Sequence, residues 1–567
     1  MTPSTTPPPP HGALASARRH WRGILDLALV AVLAVVAGQA RLAWVDLGIS
    51  VDWTWFVESS NSLAQGRAHQ YVQYLYTSVP CVIFAGFIEV LHDPMRLMKA
   101  WALLGALCAP LTYLAVRRVA GPVGGMAAGW ILAVHYDNVV TVTGIKSPYA
   151  IATWTALAAL GLAASTQRRP WGPPLFVLGA ALAIGHHLGL WLLTPAVVVL
   201  ACLHIARLRG RQRWLSAGLS LALGAAVLGI VLAFDLTRLL EEIPDYRARF
   251  GSPQGSMASG AATFMGLLLG RVPALHGERL LSGLASTTTS LRLLGGVAAA
   301  GIVVTAGRLA WLWRRRRAGA EPLPAQRPVL EASAVGLQAL LLLGLGACLY
   351  LANMVGNDYF ENHHVVALVP ILALAMGGLA RGLASARLGA WGALIPSIAL
   401  AGWLWQIMPH LMPLPAPAIS PAQFEVHSFR NAAEVAVAIR DDARAMGRQP
   451  GLLLWTRRPD QVTPWLLPDL ANELARLDWR GDDLPPACYV VHQRGLDARL
   501  GAGRAIPLSH VTGLSLRAFD DCSQLAPLEG ILCGGLDRSS LWRGQQWTGK
   551  ADATAFLDQV LPCVRTR

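Results

Sequence analysis

Apolar runs of about 20 residues, each closed by a short polar segment, fill the chain from Ile24 to Met408, and runs of that length are candidates to span a membrane. The first covers Ile24–Val45. Tyr71–Val90 is moderately apolar, contains Pro80 and reads as an interfacial or re-entrant helix. Further spans follow at Leu97–Val116, Pro122–Thr143 and Pro148–Ser165, two more within Gly172–Leu208, then Leu215–Phe234, Leu291–Trp313, Val329–Met354, Val365–Leu379 and Leu388–Met408. The total is about eleven. From Pro409 onward the pattern is that of a soluble chain. Asn431–Met446 has apolar positions at helical spacing, and Gly451–Trp455 and Cys488–Val491 read as short buried strands.

The polar segments between the runs are of two kinds. One is basic: Arg18, Arg19 and Arg22; Arg117 and Arg118; Arg168 and Arg169; Arg207, Arg209, Arg211 and Arg213; Arg314–Arg317; Arg381 and Arg387. The other is acidic: Asp46–Glu58, Asp235–Asp245 and Asp358–Glu361. With about eleven spans and a cytoplasmic N-terminus, every basic cluster falls inside and every acidic loop outside, as the excess of cations in cytoplasmic loops requires. This parity puts the C-terminal segment outside. The expected organisation is a disordered cytoplasmic N-terminus over residues 1–23 and a transmembrane domain over 24–408 with external loops at 46–96 and 235–290. An extracytoplasmic domain follows at 421–567, small and α/β in character. The membrane involved is a bacterial-type inner membrane.

Composition agrees. Of 567 residues 54% are hydrophobic and only 14% charged, where a soluble domain carries about 25% charged residues. The net charge of +14 is mostly arginine in loops between apolar runs, so it marks membrane topology and not a nucleic-acid surface. Four of the eight cysteines, Cys488, Cys522, Cys533 and Cys563, fall in the C-terminal segment, where an extracytoplasmic setting favours disulfides over free thiols. Cys81, Cys108, Cys202 and Cys348 lie in or near spans as packing residues, and no metal-type Cys/His spacing occurs.

The candidate chemistry lies in the external segments. Asp52 opens Asp52-Trp53-Thr54-Trp55-Phe56, which can continue as an amphipathic helix at headgroup depth, anchored by its aromatic residues. A carboxylate there is partly desolvated and gains basicity, but Asp52 can equally cap the helix it precedes. Glu58 stands further along the same segment. His135-Tyr136-Asp137 and His186-His187 sit near external span ends, where polar side chains either face a cavity or satisfy a backbone group. Asn357–His364 gathers Asp358, Glu361, His363 and His364 in one short loop that reads either as solvated or as a binding surface for sugar hydroxyls, a phosphate or a divalent cation.

The order of these features resembles the polytopic GT-C glycosyltransferases, including protein mannosyltransferases and lipid A aminoarabinose transferases. The resemblance rests on the first span followed by Asp52, aromatics and the Leu63-Ala64-Gln65-Gly66 ending, on Asp93–Leu97, on Leu114–Gly121 with its basic exit, on Ala180–Pro195 and on His363–Pro370. It covers about Arg22–Trp405. It implies a GT-C-like membrane fold and an inverting transferase that moves a sugar from a polyprenyl-phosphate donor to a glycan, lipid or protein acceptor outside the membrane, with Asp52 as general base. Such a displacement needs a base on the acceptor hydroxyl and cations at the departing phosphate. Candidates for the phosphate are Lys146, Arg247, Arg249, Arg271, His363 and His364; those for substrate are Glu58, Asp137, His187, Asp358 and Glu361. Lys146 can also snorkel to the interface, and the Asp235–Ser290 loop can be a solvated connector or close over a donor. Two features depart from the family: Ser147-Pro148 stands where an acidic residue is common, and His363-His364 where Arg-Tyr is common. Competing readings are a lipid or glycan transporter, a glycan ligase of different fold, and a sensor. No internal repeat of the transporter type is visible, and the polar residues gather toward one face.

Overall fold

The computed structural model describes residues 11–42, 77–91, 94–135, 150–186, 193–236, 327–354, 366–383, 394–407, 429–458, 486–493, 503–509 and 514–520, with a few isolated positions between them. The helices are α1 (His11–Leu42), α2 (Val79–Leu91), α3 (Pro94–Ala106), α4 (Cys108–Val134), α5 (Ile151–Thr166), α6 (Gly172–His186), α7 (Thr194–Ala206), α8 (Gly210–Phe234), α9 (Arg327–Met354), α10 (Val369–Leu383), α11 (Leu394–Ile407) and α12 (Phe429–Ala445). Among the described residues four stretches are long and apolar enough to cross a membrane: Gly23–Leu42, Lys99–Val134, Gly210–Phe234 and Val329–Gly346; α5, α6, α7 and α10 are shorter apolar helices. Leu25, Leu27 and Val35 on α1, and Leu215, Leu221 and Leu232 on α8, are exposed. Continuous apolar surface of this kind belongs against lipid. The chain is a multi-pass helical membrane protein.

The stretch Lys99–Val134 contains two limbs, because α4 doubles back. Gly121 has φ 80° and ψ 177°, and Pro122 follows with no N–H to continue the helical ladder. A β-carbon on Gly125 would lie 2.8 Å from Arg117 Cβ and 2.9 Å from the Tyr113 carbonyl. In a straight helix Gly125 and Arg117 would be about 12 Å apart, so their contact requires reversal at Gly121. The limbs match the expected separate spans on either side of Arg117-Arg118. Pro80 does not break its helix. It stands in the first turn of α2, where a missing N–H costs nothing.

Small residues let the other helices approach closely. On the α5–α6 hairpin, a β-carbon at Gly161 would fall 2.2 Å from the Phe176 nitrogen and one at Gly179 would fall 2.4 Å from the Ala158 nitrogen. This close backbone approach is how helices associate when lipid is as apolar as their side chains. At the centre runs α10, buried from Val369 to Ala380 and packed by α4, α5, α9 and α11.

The C-terminal elements form a five-stranded mixed sheet of β1 (Gln449–Arg458), β2 (Gln461–Val462), β3 (Pro486–Gln493), β4 (Arg504–Ile506) and β5 (Leu514–Phe519) in the order β2-β1-β3-β5-β4. The β1–β3 pair is parallel and the remaining pairs are antiparallel. On α12, Val435, Ile439 and Ala443 are buried at four-residue spacing. Asp442 on its polar side accepts from Arg504 at 2.5 and 2.9 Å and from the Tyr489 hydroxyl at 3.1 Å, which joins α12 to β3 and β4. Burial first, and the Asp442 carboxylate second, push the Tyr489 phenol above the ordinary tyrosine range. Cys522, Cys533 and Cys563 lie outside the described residues.

Candidate functional site: the polar end of the helical bundle

Tertiary contacts sort the helix ends into two groups. At one end Arg117 on the first limb of α4 forms an ion pair with Asp26 on α1, and Tyr113 donates to the same carboxylate at 2.8 Å. Arg118 donates to Gln167 Oε1 at 2.9 Å, which brings the Gly121 reversal beside the turn from α5 to α6. His204, near the end of α7, contacts Gln338 of α9 at 2.9 Å. The clusters Arg117-Arg118, Arg168-Arg169 and Arg207–Arg213 therefore share this end.

The opposite end holds polar groups, among them one arginine and one carboxylate, in buried networks. Arg41, in the last turn of α1, is fully buried. Its guanidinium donates to the carbonyls of Ala37 at 3.0 Å, Leu132 at 3.2 Å and Ala133 at 3.3 Å, and to Cys108 Sγ at 3.3 Å. Asn138 donates to the same sulfur at 3.0 Å and to the Leu132 carbonyl at 2.9 Å. Among the described residues no carboxylate pairs with Arg41. The cation is held by carbonyl dipoles and a sulfur, and it ties the end of α1 to both limbs of α4.

The second network surrounds the start of α2. Asp235, the residue after α8, accepts from the Ser78 backbone N–H and from the Ser78 hydroxyl, each at 2.7 Å. A carboxylate at a helix N-terminus satisfies orphan donors and meets the positive end of the helix dipole. Thr77 accepts from the Val79 N–H at 3.2 Å and donates to the Gly185 carbonyl at the end of α6. Asp235 belongs to the acidic segment expected at the membrane exterior, yet it is fully buried and knits α8 to α2.

His186 lies beside this network with both ring nitrogens engaged. Nδ1 is 2.8 Å from the Leu182 carbonyl, a group that only accepts, and Nε2 is 3.1 Å from Trp154 Nε1, a group that only donates. The pairing fixes the neutral Nδ1–H tautomer. The ring also stacks on Trp101 at 6.4 Å, and Phe84 meets Trp101 edge-on at 5.3 Å. Of the two readings open for His186, cavity-facing or structural, the geometry selects the structural one.

The sequence-derived candidates Asp52, Glu58, Asp137, Lys146, His187, Arg247, Arg271, Asp358, Glu361, His363 and His364 all lie outside the described residues, as does Arg249. Described residues flank several of the segments that carry them. Ser60, buried, and Leu63, packed on the core, follow the Asp52 segment, which Arg41 precedes and Thr77 closes. His135 and Asn138, both buried at the polar end, flank Asp137; His186 precedes His187; Ala150 follows Lys146; and Val366, at the polar end of the central helix, follows His363 and His364. Among the described residues no three His, Cys, Asp or Glu side chains are grouped to hold a metal ion.

Arg41, Ser78, Asn138 and Asp235 are not among the sequence-derived candidates. Arg41 had a sequence signal: it is an arginine at the end of an apolar run expected to be external, against the distribution of every arginine cluster. The other three are ordinary polar residues whose partners are remote in the chain.

This is a membrane-embedded helical bundle with one arginine-rich end and one end of buried polar networks. No protein-family model matches the chain, and no curated protein sequence matches it. Among solved structures it is similar to ArnT from Cupriavidus metallidurans in the apo state, with 15% identity, 88% of this chain and 98% of that chain covered, and a TM-score of 0.34. It is also similar to the archaeal oligosaccharyltransferase AglB from Archaeoglobus fulgidus in complex with an inhibitory peptide and a dolichol-phosphate, with 12% identity, 84% and 70% covered, and a TM-score of 0.39.

Proposed function

We propose that the protein is a GT-C-type membrane glycosyltransferase that moves a sugar from a polyprenyl-phosphate donor to an envelope glycan, lipid or protein acceptor on the extracytoplasmic side, with inversion. The observation that carries this reading is the common tethering of the candidates. Asp52, Glu58, Asp137, Lys146, His187, Asp358, Glu361, His363 and His364 all sit in segments whose described flanks belong to the polar end of the bundle. A displacement reaction needs its base, acceptor hydroxyl, anomeric carbon and leaving phosphate in line, and tethering of the candidate segments at one end of the bundle supports that requirement.

In this mechanism Asp52 takes the proton from the acceptor hydroxyl as its oxygen bonds to the anomeric carbon. The bond from that carbon to the phosphate oxygen breaks on the opposite face, and the electron pair leaves with the polyprenyl phosphate. Lys146, Arg247, Arg271, His363 and His364 are the candidate cations for the charge that develops there. Glu58, Asp137, His187, Asp358 and Glu361 are candidates to hold sugar and acceptor hydroxyls. The arginine-rich end faces the cytoplasm and the C-terminal sheet lies outside, as the positive-inside rule directs.

The decisive experiment compares wild-type and Asp52→Asn protein in envelope membranes supplied with labelled polyprenyl-phosphate sugar. Wild type transfers label to an envelope acceptor, and the variant inserts normally but does not. Near-normal transfer by the variant removes Asp52 as the base. An alkaline phosphatase fused after Arg567 is active outside the cytoplasm in this topology; a stable but inactive fusion overturns it.

A further inference from the structure

The arginine-rich end contains a cationic surface cluster that the transferase chemistry does not use. The Arg118 guanidinium carbon lies 5.0 Å from the centroid of the Trp171 ring, a cation–π arrangement. One Arg118 nitrogen is fixed by Gln167 at 2.9 Å, and Gln167 in turn donates to the Arg118 carbonyl at 3.4 Å. Arg118 is also within electrostatic reach of Arg169 and Arg117. Asp26, the carboxylate in contact with this group, is taken by Arg117 and Tyr113. Among the described residues no carboxylate pairs with Arg118, Arg168 or Arg169, and the buried Arg118 Nε has no hydrogen-bond partner.

Arg168 and Arg169 sit in an exposed, hydrogen-bonded turn. The Arg169 N–H donates to the Ala164 carbonyl at 3.1 Å and the Arg168 N–H to the Ser165 carbonyl at 2.9 Å, the Schellman closure of a helix. The position this closure places in the left-handed region, ordinarily glycine, is Arg168 with φ 57°. A non-glycine residue there costs about 1 kcal/mol, and the turn accepts that cost at a point where the side chain is a cation. Trp171 is 41% exposed, as suits an indole at headgroup depth.

We propose that Arg118, Arg169 and Trp171 form a binding site for the phosphate of an anionic phospholipid headgroup in the leaflet at this end. The guanidinium of Arg118, pre-oriented by Gln167 and Trp171, and the exposed Arg169 supply charge-assisted hydrogen bonds to phosphate oxygens. The proposal rests on the membrane reading and not on the transferase reading.

The test is native mass spectrometry of the full chain in detergent, titrated with phosphatidylglycerol and, separately, phosphatidylcholine. Wild type retains phosphatidylglycerol selectively. Arg118→Gln and Arg169→Gln each weaken that retention about fivefold, the effect expected for one basic residue near a membrane surface. Because Arg169 is exposed, its variant keeps the fold and decides the matter if the Arg118 variant does not assemble. Excess inorganic phosphate leaves the lipid bound. Equal retention of both lipids, unchanged retention by Arg169→Gln, or displacement by inorganic phosphate overturns the proposal. Transfer activity measured on the same preparations with Asp52→Asn alongside separates failure here from failure of the transferase reading.

Discussion

At the arginine-rich end Asp26 meets Arg117 and Tyr113 while its side chain stays 18% exposed and that of Arg117 stays 32% exposed. At the polar end Asp235 has no exposure, and its carboxylate grips a backbone N–H and a hydroxyl of α2. The first carboxylate balances a charge at a wet boundary; the second replaces water for groups that have none. Arg41 extends the contrast, since its cation is dry and is held by carbonyls, whereas Arg118 is half-buried against Gln167 and Trp171 and Arg169 is exposed. A polar group can stay loosely partnered only where solvent or headgroups finish its hydrogen bonds. Among the described residues the polar end is therefore the more fully hydrogen-bonded one and the arginine-rich end the more exposed one.

The largest effect expected at the polar end is chemical. Asp52→Asn should lower the transfer rate about a thousandfold, in the range lost with a general base, while the thermal unfolding of the purified protein stays that of wild type. If unfolding shifts in step with activity, Asp52 is the helix cap it also resembles. Next comes stability. Asp235→Ala strands the Ser78 donors in a buried site and should cost about 3 kcal/mol, whereas Asp26→Ala, at the partly exposed end, should cost about 1 kcal/mol. Thermal melts of both variants in one detergent check this order, and equal losses would erase the distinction between the ends.

The smallest effect belongs to the C-terminal sheet. The Tyr489 phenol is raised in the folded state, so its contribution to stability is complete below the ordinary tyrosine value of about 10 and is lost as pH rises beyond it. Tyr489→Phe should cost about 1 kcal/mol at neutral pH for the lost bond to Asp442 and should flatten the alkaline decline. An alkaline stability profile identical to wild type would mean that the phenol does not titrate with unfolding.

Much of the scaffold was legible because the chemistry that writes it is local. Apolar runs near Leu215 and Val329 became helices close to the expected extent, whereas the helix expected from Ile24 already starts at His11, within the segment expected to be disordered, and the run from Leu97 is shared between α3 and the first limb of α4, which reverses at Gly121. Pro80 was harder to read. The same residue breaks a helix from within or starts one from its first turn, and only the position of the Ser78 cap, set by Asp235, decides between them. His186 posed the same difficulty. Its fate turned on Trp154 and Leu182, and no spacing rule says that an indole N–H will reach Nε2. The candidate base Asp52 remains a reading from sequence, supported by what its described neighbours are bound to.

The sequence by itself determined that this is a membrane protein, where its apolar segments lie and that its basic and acidic loops alternate, because burial in lipid and the cost of moving cations across it act on each segment separately. The tertiary structure decided which polar side chains are spent on holding helices together. Ser78 with Asp235, Arg41 with Leu132 and Cys108, and Arg118 with Gln167 and Trp171 join residues far apart in the chain, and whether each donor is satisfied depends on its neighbours in space.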